Sequence, residues 1–340
     1  MKVLITGSSG QIGTNLASRL LADGHSVFGV DQRLNTWTND FQYLLQDLSG
    51  HYPAFPDGIG GVPYPESDLV VHLAAHAKVH QLVAQPHRAL ENTMMTFNVL
   101  EYCRQRMLPL VFSSTREVYG DVHRFEGYGE ATADFAFTES PYSASKIASE
   151  AFIYAYARCY GLRYLAFRFS NVYGRFDNDL HRMSRVLPLF IHLISRDEPI
   201  TVYGGADKVL DFTYVDDCVE GIVRGIEALG EGQVTNETIN LAYGQGNTLV
   251  RAAELIAAEL EAEARMTIAP SLLGEVTHYV ADIRKAHDLL GWTPRVPLHE
   301  GIPRAVEWFR EQRAAHPEED RPVVNEGDSV GWKTLAGDPG

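Results

Sequence analysis

Short apolar runs alternate with helical patterns along the first half of the chain. The runs lie at Met1–Thr6, Val27–Val30, Tyr43–Leu45, Leu69–Ala75 (with its following loop), Leu110–Ser113 and Tyr164–Phe169. Apolar runs of this length, bounded by Gly or polar residues, are typical of buried parallel strands. Apolar residues at helical spacing fill the intervals, most clearly at Ala89–Arg106 and Tyr142–Tyr160. The alternation predicts an α/β fold with a doubly wound parallel sheet.

The pattern changes near residue 174. Residues 175–312 predict a smaller, discontinuous α/β lobe that binds substrate, with returns to the large sheet near 208–225 and 238–243. Residues 313–340 lose apolar periodicity and gain charge, Pro and Gly, which predicts a polar, mobile tail. The expected organisation is therefore a domain over 1–174, a substrate lobe over 175–312 and a tail.

A glycine-rich turn follows the first run, in the order strand, turn, helix. Gly7 permits a tight turn, Gly10 lets backbone amides approach a pyrophosphate, and Gly13 allows close helix packing. The helix N-terminus adds N–H donors and a positive dipole end. This context predicts a Rossmann-type dinucleotide-binding domain. The expected contacts in the turn are Gly7, Ser9, Gly10, Gln11, Ile12 and Gly13.

Asp31, eighteen residues after Gly13, ends the second run and bears on cofactor choice. An acid there accepts hydrogen bonds from ribose hydroxyls and repels a 2′-phosphate, although Arg33 could attract one. NAD is favoured over NADP; a simple turn residue is the structural alternative. Asp47 and Leu48, after the third run, are expected at the adenine edge, or else in an ordinary strand-end turn.

Tyr142 and Lys146 are spaced four residues apart on a predicted helix and so share a face. A fixed ammonium favours the phenolate, so we expect Lys146 to lower the pKa of Tyr142 and make it a general base. Thr115 lies just beyond the fifth run, at the strand end where ligands bind in such sheets, and can hydrogen-bond a substrate hydroxyl. The alternatives are an ordinary helix face and a capping threonine.

These motifs resemble the extended short-chain dehydrogenase/reductase family of NAD-dependent sugar epimerases and dehydratases. The similarity runs from Met1 to about Phe309, and its markers are the segments Thr6–Gly13, His72–Ala75, Ser113–Gly120, Tyr142–Lys146, Arg168–Gly174, Asp211–Asp217 and Leu290–Trp292. The resemblance implies that Lys146 also holds the nicotinamide ribose. It adds as cofactor contacts Leu73, Ala74, Ala75 and Ser113, and it implies a homodimer packed through the helices that carry Asn92–Leu100 and Tyr142–Ala157.

The substrate side follows the family pattern only in part. The residues expected there are His76, Lys78, Thr115, Arg116, Asn171, Arg182 and Arg185. Where the family usually carries arginines for the substrate diphosphate, this chain has Leu210 and Leu272, which cannot replace a guanidinium fork. Arg182 and Arg185 take over if the substrate is a nucleotide sugar. Otherwise a smaller polyol, a free or phosphorylated sugar or another hydroxy compound is expected.

Glu117 separates the candidate reactions. The leading expectation is C4 epimerisation of a nucleotide sugar through a transient 4-keto intermediate. Glu117 could instead remove the C5 proton in a 4,6-dehydratase or serve a decarboxylase, or it could simply pair with Arg116 or cap the next segment. A third possibility is net NAD-dependent oxidation of a non-nucleotide compound. A redox-sensing binding protein is disfavoured because the Tyr/Lys pair is present.

Composition narrows the partners. The formal net charge of −15 argues against nucleic acid binding. Three scattered cysteines suggest neither disulfides nor a zinc site. His72, His76 and His80 repeat every four residues, but His72 belongs to the cofactor loop, so no metal is expected. Met1 leads directly into a strand and no apolar run reaches about 18 residues, which predicts a cytoplasmic protein without a membrane segment.

Overall fold

The computed structural model describes residues 1–52, 54–55, 57–121, 127–133, 135–177 and 185–315. The strands are β1 Lys2–Thr6, β2 Ser26–Asp31, β3 Gln42–Leu45, β4 Ala54–Phe55, β5 Gly58–Ile59, β6 Val62–Pro63, β7 Leu69–His72, β8 Leu110–Thr115, β9 Tyr164–Phe169, β10 Asn171–Tyr173, β11 Ile200–Tyr203, β12 Val209–Tyr214, β13 Glu237–Leu241, β14 Gly246–Thr248 and β15 Met266–Ala269. The helices are α1 Gln11–Ala22, α2 Val79–Ala84, α3 His87–Arg106, α4 Pro141–Tyr160, α5 Val186–Ser195, α6 Val215–Gly230, α7 Leu249–Leu260, α8 Arg284–Leu290 and α9 Leu298–Ala315.

A parallel sheet forms the larger part of the molecule. In the described ranges it has seven strands in the order β13-β9-β8-β7-β1-β2-β3. Strand β1 pairs with β2 on one side and β7 on the other, so the order along the sheet reverses between β1 and β7. Ligands bind beside the carboxyl ends of strands at such a reversal. The predicted Rossmann-type doubly wound sheet is confirmed.

Both faces of this sheet are covered, which is why its strands are apolar throughout. Val3 and Ile5 point into the cluster that includes α1 and α6, while Leu4 points into the cluster of α3 and α4. Side chains alternate between faces along a strand, so a continuous apolar run serves both layers. Helices α1 and α6 pack together on one side and α3 and α4 on the other.

The smaller lobe has its own apolar core. Helices α5, α7 and α9 surround it together with the paired strands β11 and β15 and the sheet β10-β12-β14. Leu210 is 4% exposed and belongs to this core. Strand β13 returns to the large sheet beside β9, whereas β12 stays in the small sheet. The limits expected for the domain (1–174) and for the substrate lobe (175–312) remain a prediction.

Element ends differ slightly from those expected. Strand β8 continues through Thr115, because its pairing with β9 extends to Phe169, so Thr115 closes the strand instead of following it. Helix α4 begins at Pro141 after a capping box formed by Ser140 and Ser143. Helix α9 runs to Ala315, so the predicted tail starts within it, and 316–340 lie outside the described residues.

None of the helices in the described ranges has the length and apolar character needed to cross a membrane. Cys103 and Cys218 are buried and Cys159 is exposed, and none of the three forms a disulfide.

A buried ion pair fastens α4 to the sheet. Arg168 on β9 donates from Nε to Oε1 of Glu150 at 2.9 Å and from Nη2 to Oε2 at 2.7 Å. Both side chains are at most 6% exposed. The hydroxyls of Ser114 and Tyr154 also donate to the Glu150 carboxylate. Removing one partner of such a pair leaves an uncompensated buried charge, which costs about 3–5 kcal/mol.

We therefore expect Glu150→Ala to lower the free energy of unfolding by about 3–5 kcal/mol in chemical denaturation. Glu227→Ala, at an exposed position on α6, is the matched control and should change it by less than about 0.5 kcal/mol. Replacing Glu150 and Arg168 together by Met should cost less than the two single replacements added. Strictly additive losses would contradict the coupling.

Candidate active site

Helix α4 contacts three successive residues at the end of strand β8. Lys146 Nζ donates to the carbonyl oxygen of Ser113 at 2.7 Å, and the Ser114 hydroxyl donates to Glu150. The Tyr142 phenol meets the hydroxyl of Thr115. Positions 142, 146 and 150 lie one turn apart on one helix face, so the helix aligns the strand end as it presents Tyr142 and Lys146.

The pKa values of Tyr142 and Lys146 differ from those expected. Burial raises the pKa of Tyr142 to about 12, with the Thr115 hydroxyl opposing the rise. Burial lowers the pKa of Lys146 to about 7, against the opposing charge of Glu150. The prediction that Lys146 lowers the pKa of Tyr142 is wrong for this arrangement. Withdrawal from water disfavours the phenolate, and the lysine amine is directed to the Ser113 carbonyl and to the ring of Phe112, 4.8 Å away.

The glycine turn forms a close-packed cradle at the N-terminus of α1. Gly7 has a φ of +75°, and a Cβ there would lie 2.6 Å from the backbone N of Ala74. A Cβ on Gly13 would lie 2.2 Å from the carbonyl oxygen of Gly7. Leu73 N donates to the Thr6 carbonyl at 3.0 Å, which holds the loop 73–75 against the turn. Only glycine fits at Gly7 and Gly13, and the helix N-terminus beside this turn fits a pyrophosphate.

Asp31 closes the cradle at the end of β2. Its side chain is 6% exposed and accepts from Ser9 N at 2.9 Å and from Arg33 N at 3.0 Å. The guanidinium of Arg33 lies 3.9 Å from the carboxylate, so this charge is already engaged. A carboxylate held beside the phosphate turn fits the ribose hydroxyls of NAD.

Asp47 and Leu48 lie beyond strand β3. Asp47 accepts from Ser49 N at 2.8 Å in a local turn. Leu48 is 3% exposed, and its carbonyl accepts from Asn98 Nδ2 at 2.8 Å. Their contact with the adenine edge remains a prediction.

The comparisons agree with this geometry. Residues 3–242 match the family described as the NAD dependent epimerase/dehydratase family. The chain belongs to this family. A UDP-glucose 4-epimerase of Mycolicibacterium smegmatis is 30% identical over 91% of this chain and 99% of its own. UDP-glucuronic acid decarboxylase 1 of Danio rerio is 29% identical over 91% of this chain and 72% of its own.

Solved structures give the same family and the cofactor. The UDP-glucose 4-epimerase of Thermus thermophilus, determined as a complex with NAD, has 28% identity and a TM-score of 0.79 over 91% of this chain and 99% of that one. The predicted extended short-chain dehydrogenase/reductase, an enzyme that depends on NAD, is thus confirmed.

In this family member, a buried ion pair lies beside Tyr142. Arg116 Nη2 lies 3.0 Å from Glu117 Oε1 and donates to Asn171 Oδ1 at 3.5 Å. Arg116 Nη1 and Glu117 Oε2 are buried and have no hydrogen-bond partner in the part of the chain that the structure describes. Burial raises the pKa of Glu117, with the charge of Arg116 opposing. The pairing that the sequence offered as the structural alternative therefore does form.

Sequence reasoning missed a second ion pair, in which Lys208 is buried and Glu275 is partly exposed. Lys208 Nζ donates to Glu275 Oε2 at 2.7 Å, and its side chain is 5% exposed. Both charges act on Glu117, so this pair borders the same region. No signal in the sequence indicates this pair, because its two residues are 67 positions apart.

The other predicted substrate contacts have diverse positions. Arg185, at the start of α5, donates to Gln11 Oε1 at 2.6 Å and lies 3.3 Å from Asp177 Oδ1, so it reaches the cofactor turn. His76 pairs with Glu91 at 2.8 Å in the loop after β7. Lys78 directly precedes α2. Arg182 lies outside the described residues.

The three histidines do not share a helix. His72 is buried in β7, where its ring contacts the hydroxyls of Thr6 at 2.6 Å and Thr96 at 3.3 Å, and burial lowers its pKa to about 3. His80 lies on α2. Within the ranges described, no group of three His, Cys, Asp or Glu side chains is placed to hold a metal ion.

The buried lysine makes stability depend on pH. The pKa of Lys146 falls from its ordinary 10.5 to about 7 on folding, so between these values the unfolded chain binds the extra proton. The folding penalty is complete below about pH 7 and fades as pH rises towards 10.5. Lys146→Met should therefore stabilise the protein most at about pH 6. The pH-dependent gain should be on the order of 5 kcal/mol in thermal denaturation, and a gain equal at all pH values would contradict the lowered pKa.

Proposed function

We propose that the chain is an NAD-dependent nucleotide-sugar epimerase that inverts C4 through a transient 4-keto intermediate. The observation that carries this proposal is the grouping of Thr115, Tyr142 and Lys146 at the end of β8, beside the glycine cradle. The names of the relatives support the substrate class, since 4-epimerases of UDP-glucose resemble this chain over nearly its whole length.

Each residue of the cluster has one task. Tyr142 takes the proton of the substrate O4 hydroxyl and returns it, and Thr115 hydrogen-bonds that oxygen. Lys146, fixed on the Ser113 carbonyl, contacts the nicotinamide ribose, and the positive charge that favours the phenolate comes from Arg185 and Arg116. NAD, when bound, accepts a hydride from carbon and gives it back. Epimerisation follows when the keto sugar presents its other face before the hydride returns.

Residues other than the family's usual arginines must contact the diphosphate of a nucleotide-sugar substrate. Leu210 is committed to the apolar core of the smaller lobe, so it offers no donor. Arg185, which donates to Gln11 Oε1, is the proposed nucleotide contact, and Arg182, outside the described residues, is a second one. If neither serves a diphosphate, net oxidation of a non-nucleotide sugar or hydroxy compound is the remaining alternative.

A sugar-nucleotide 4,6-dehydratase or decarboxylase is the second candidate. Glu117 is buried beside Tyr142 and burial raises its pKa, which makes it a better proton acceptor than an ordinary carboxylate. A decarboxylase is among the relatives. However, the ion pair between Glu117 and Arg116 also accounts for the position of Glu117, without any catalytic role.

The test is product analysis by NMR after incubation with UDP-, dTDP-, GDP- and CDP-sugars and with free sugars. The proposal expects a C4 epimer and no net NADH, and Tyr142→Phe should reduce turnover by about 10²–10⁴-fold while NAD still binds. Dehydrated or decarboxylated products would favour the second candidate. Net NADH without an isomer, or full turnover by Tyr142→Phe, would reject the proposal.

A homodimer through α3 and α4 also belongs to the proposal, as does a cytoplasmic location. These helices pack side by side and expose apolar side chains, with Leu90 74% and Phe152 40% exposed. The rings of Phe97 and Phe152 meet edge to face with centroids 6.2 Å apart, which joins the two helices in one apolar face. Such a face suits a second copy of the chain.

Leu90→Glu combined with Phe152→Glu should convert the dimer to a monomer in light scattering, because charges are disfavoured in an interface core. Leu34→Glu, at a position 64% exposed outside both helices, should leave the dimer intact. A monomeric wild-type protein, or a dimeric double variant, would reject this interface.

A further inference from the structure

The end of strand β8 carries more polar chemistry than hydride transfer needs. Directly after Thr115, a turn of 3-10 helix over Arg116–Tyr119 has every residue buried. Arg116 is 9% exposed and Glu117 5% exposed. The charges of both residues act on Tyr142, so this turn borders the reacting end of the phenol.

The guanidinium of Arg116 is held in place but only partly used. Its Nη2 contacts Glu117 at 3.0 Å and Asn171 at 3.5 Å, and its Cζ lies 5.8 Å from the ring centroid of Tyr279. Asn171 is itself tied back through Nδ2 to the carbonyl of Asp211 at 3.1 Å. The fork is therefore rigid, while its Nη1 has no partner among the residues described.

Glu117 likewise has one side-chain atom without a partner among the described residues. One carboxyl oxygen contacts Arg116, and the other, Oε2, is buried and lacks a partner in the described ranges. Burial raises the pKa of Glu117, and the charge of Arg116 opposes the rise. A buried charged donor left unsatisfied is unfavourable, so a ligand group that accepts from Arg116 Nη1 would stabilise the turn.

Another cation that acts on Glu117 is already engaged. Lys208 donates to Glu275 at 2.7 Å, whereas Arg116 keeps N–H groups to spare. A guanidinium matches a carboxylate in geometry as well as charge. Because the charge of Arg116 acts on the Tyr142 phenol, we expect the ligand group that Arg116 meets to lie near the reacting C4 hydroxyl.

We propose that Arg116 and Glu117 form a carboxylate-binding subsite, and that the substrate is a sugar acid with its carboxylate on C5, next to the reacting C4. This inference rests on the proposed function for the identity of the reacting carbon. In it, Arg116 is the specificity-determining residue: its Nη1 group, which has no partner among the described residues, donates to the carboxylate oxygens, and Glu117 holds the guanidinium in place. No bond to the carboxylate is made or broken in the binding step.

UDP-glucuronate and UDP-glucose are the matched probes, because they differ only in a carboxylate against a hydroxymethyl group on C5. The full chain with NAD should bind UDP-glucuronate at least about tenfold more tightly in calorimetry, which is the gain of one charge-assisted hydrogen bond. Arg116→Gln should remove this preference while UDP-glucose affinity changes by less than about threefold. Arg196→Gln, a change at an arginine paired with Glu198 after α5, is the control and should keep the preference.

Arg116→Lys provides the second variant if Arg116→Gln fails to fold. It keeps the charge without the fork and should retain only part of the preference. Equal affinity of the wild-type protein for the two probes, or an unchanged preference in both Arg116 variants, would overturn the inference.

Products are measured separately by NMR. If the preference depends on Arg116 but neither sugar is epimerised, the subsite stands and the proposed function fails. If UDP-glucose is epimerised at least as well as UDP-glucuronate and Arg116→Gln slows both equally, the proposed function stands and the subsite fails.

Discussion

The attachment of helix α4 to the end of strand β8 is the constraint on which the site depends. Lys146 binds the Ser113 carbonyl, Glu150 binds the Ser114 hydroxyl, and Tyr142 meets Thr115. One helix face thus matches three successive strand residues. Because Glu150 is also paired with Arg168 on β9, the same contact stabilises the sheet and aligns the proton-transfer groups.

Burial sets the electrostatics of this attachment. Lys146 is withdrawn from water, so its pKa falls to about 7, and the pKa of Tyr142 rises to about 12. With these pKa values, the Tyr142 phenol keeps its proton at neutral pH. Positive charge brought near the phenol is what makes it a base, and the chain itself supplies Arg116 and Arg185 close enough to favour the phenolate.

Local features were predictable from the sequence, and those that depend on packing were not. The glycine turn, Asp31 and the Tyr142–Lys146 spacing are each set by a few neighbouring residues, so the sequence indicated both the fold and the cofactor site. The raised pKa of Tyr142 depends on how many elements cover it. The Lys208–Glu275 pair joins residues 67 positions apart, and for Glu117 the sequence offered pairing and catalysis as equal alternatives.

The central claim is that, after C4 is oxidised, the hydride returns to C4 and inverts it. A deuterium label on C4 of the substrate tests this claim most directly. If the chain is an epimerase that returns the same hydride, NMR and mass spectrometry of the product will show an inverted C4 that keeps the deuterium, with no accumulation of NADH. Loss of the label to solvent, its transfer to C6 in a dehydrated sugar, or its appearance in free NADH would contradict the account.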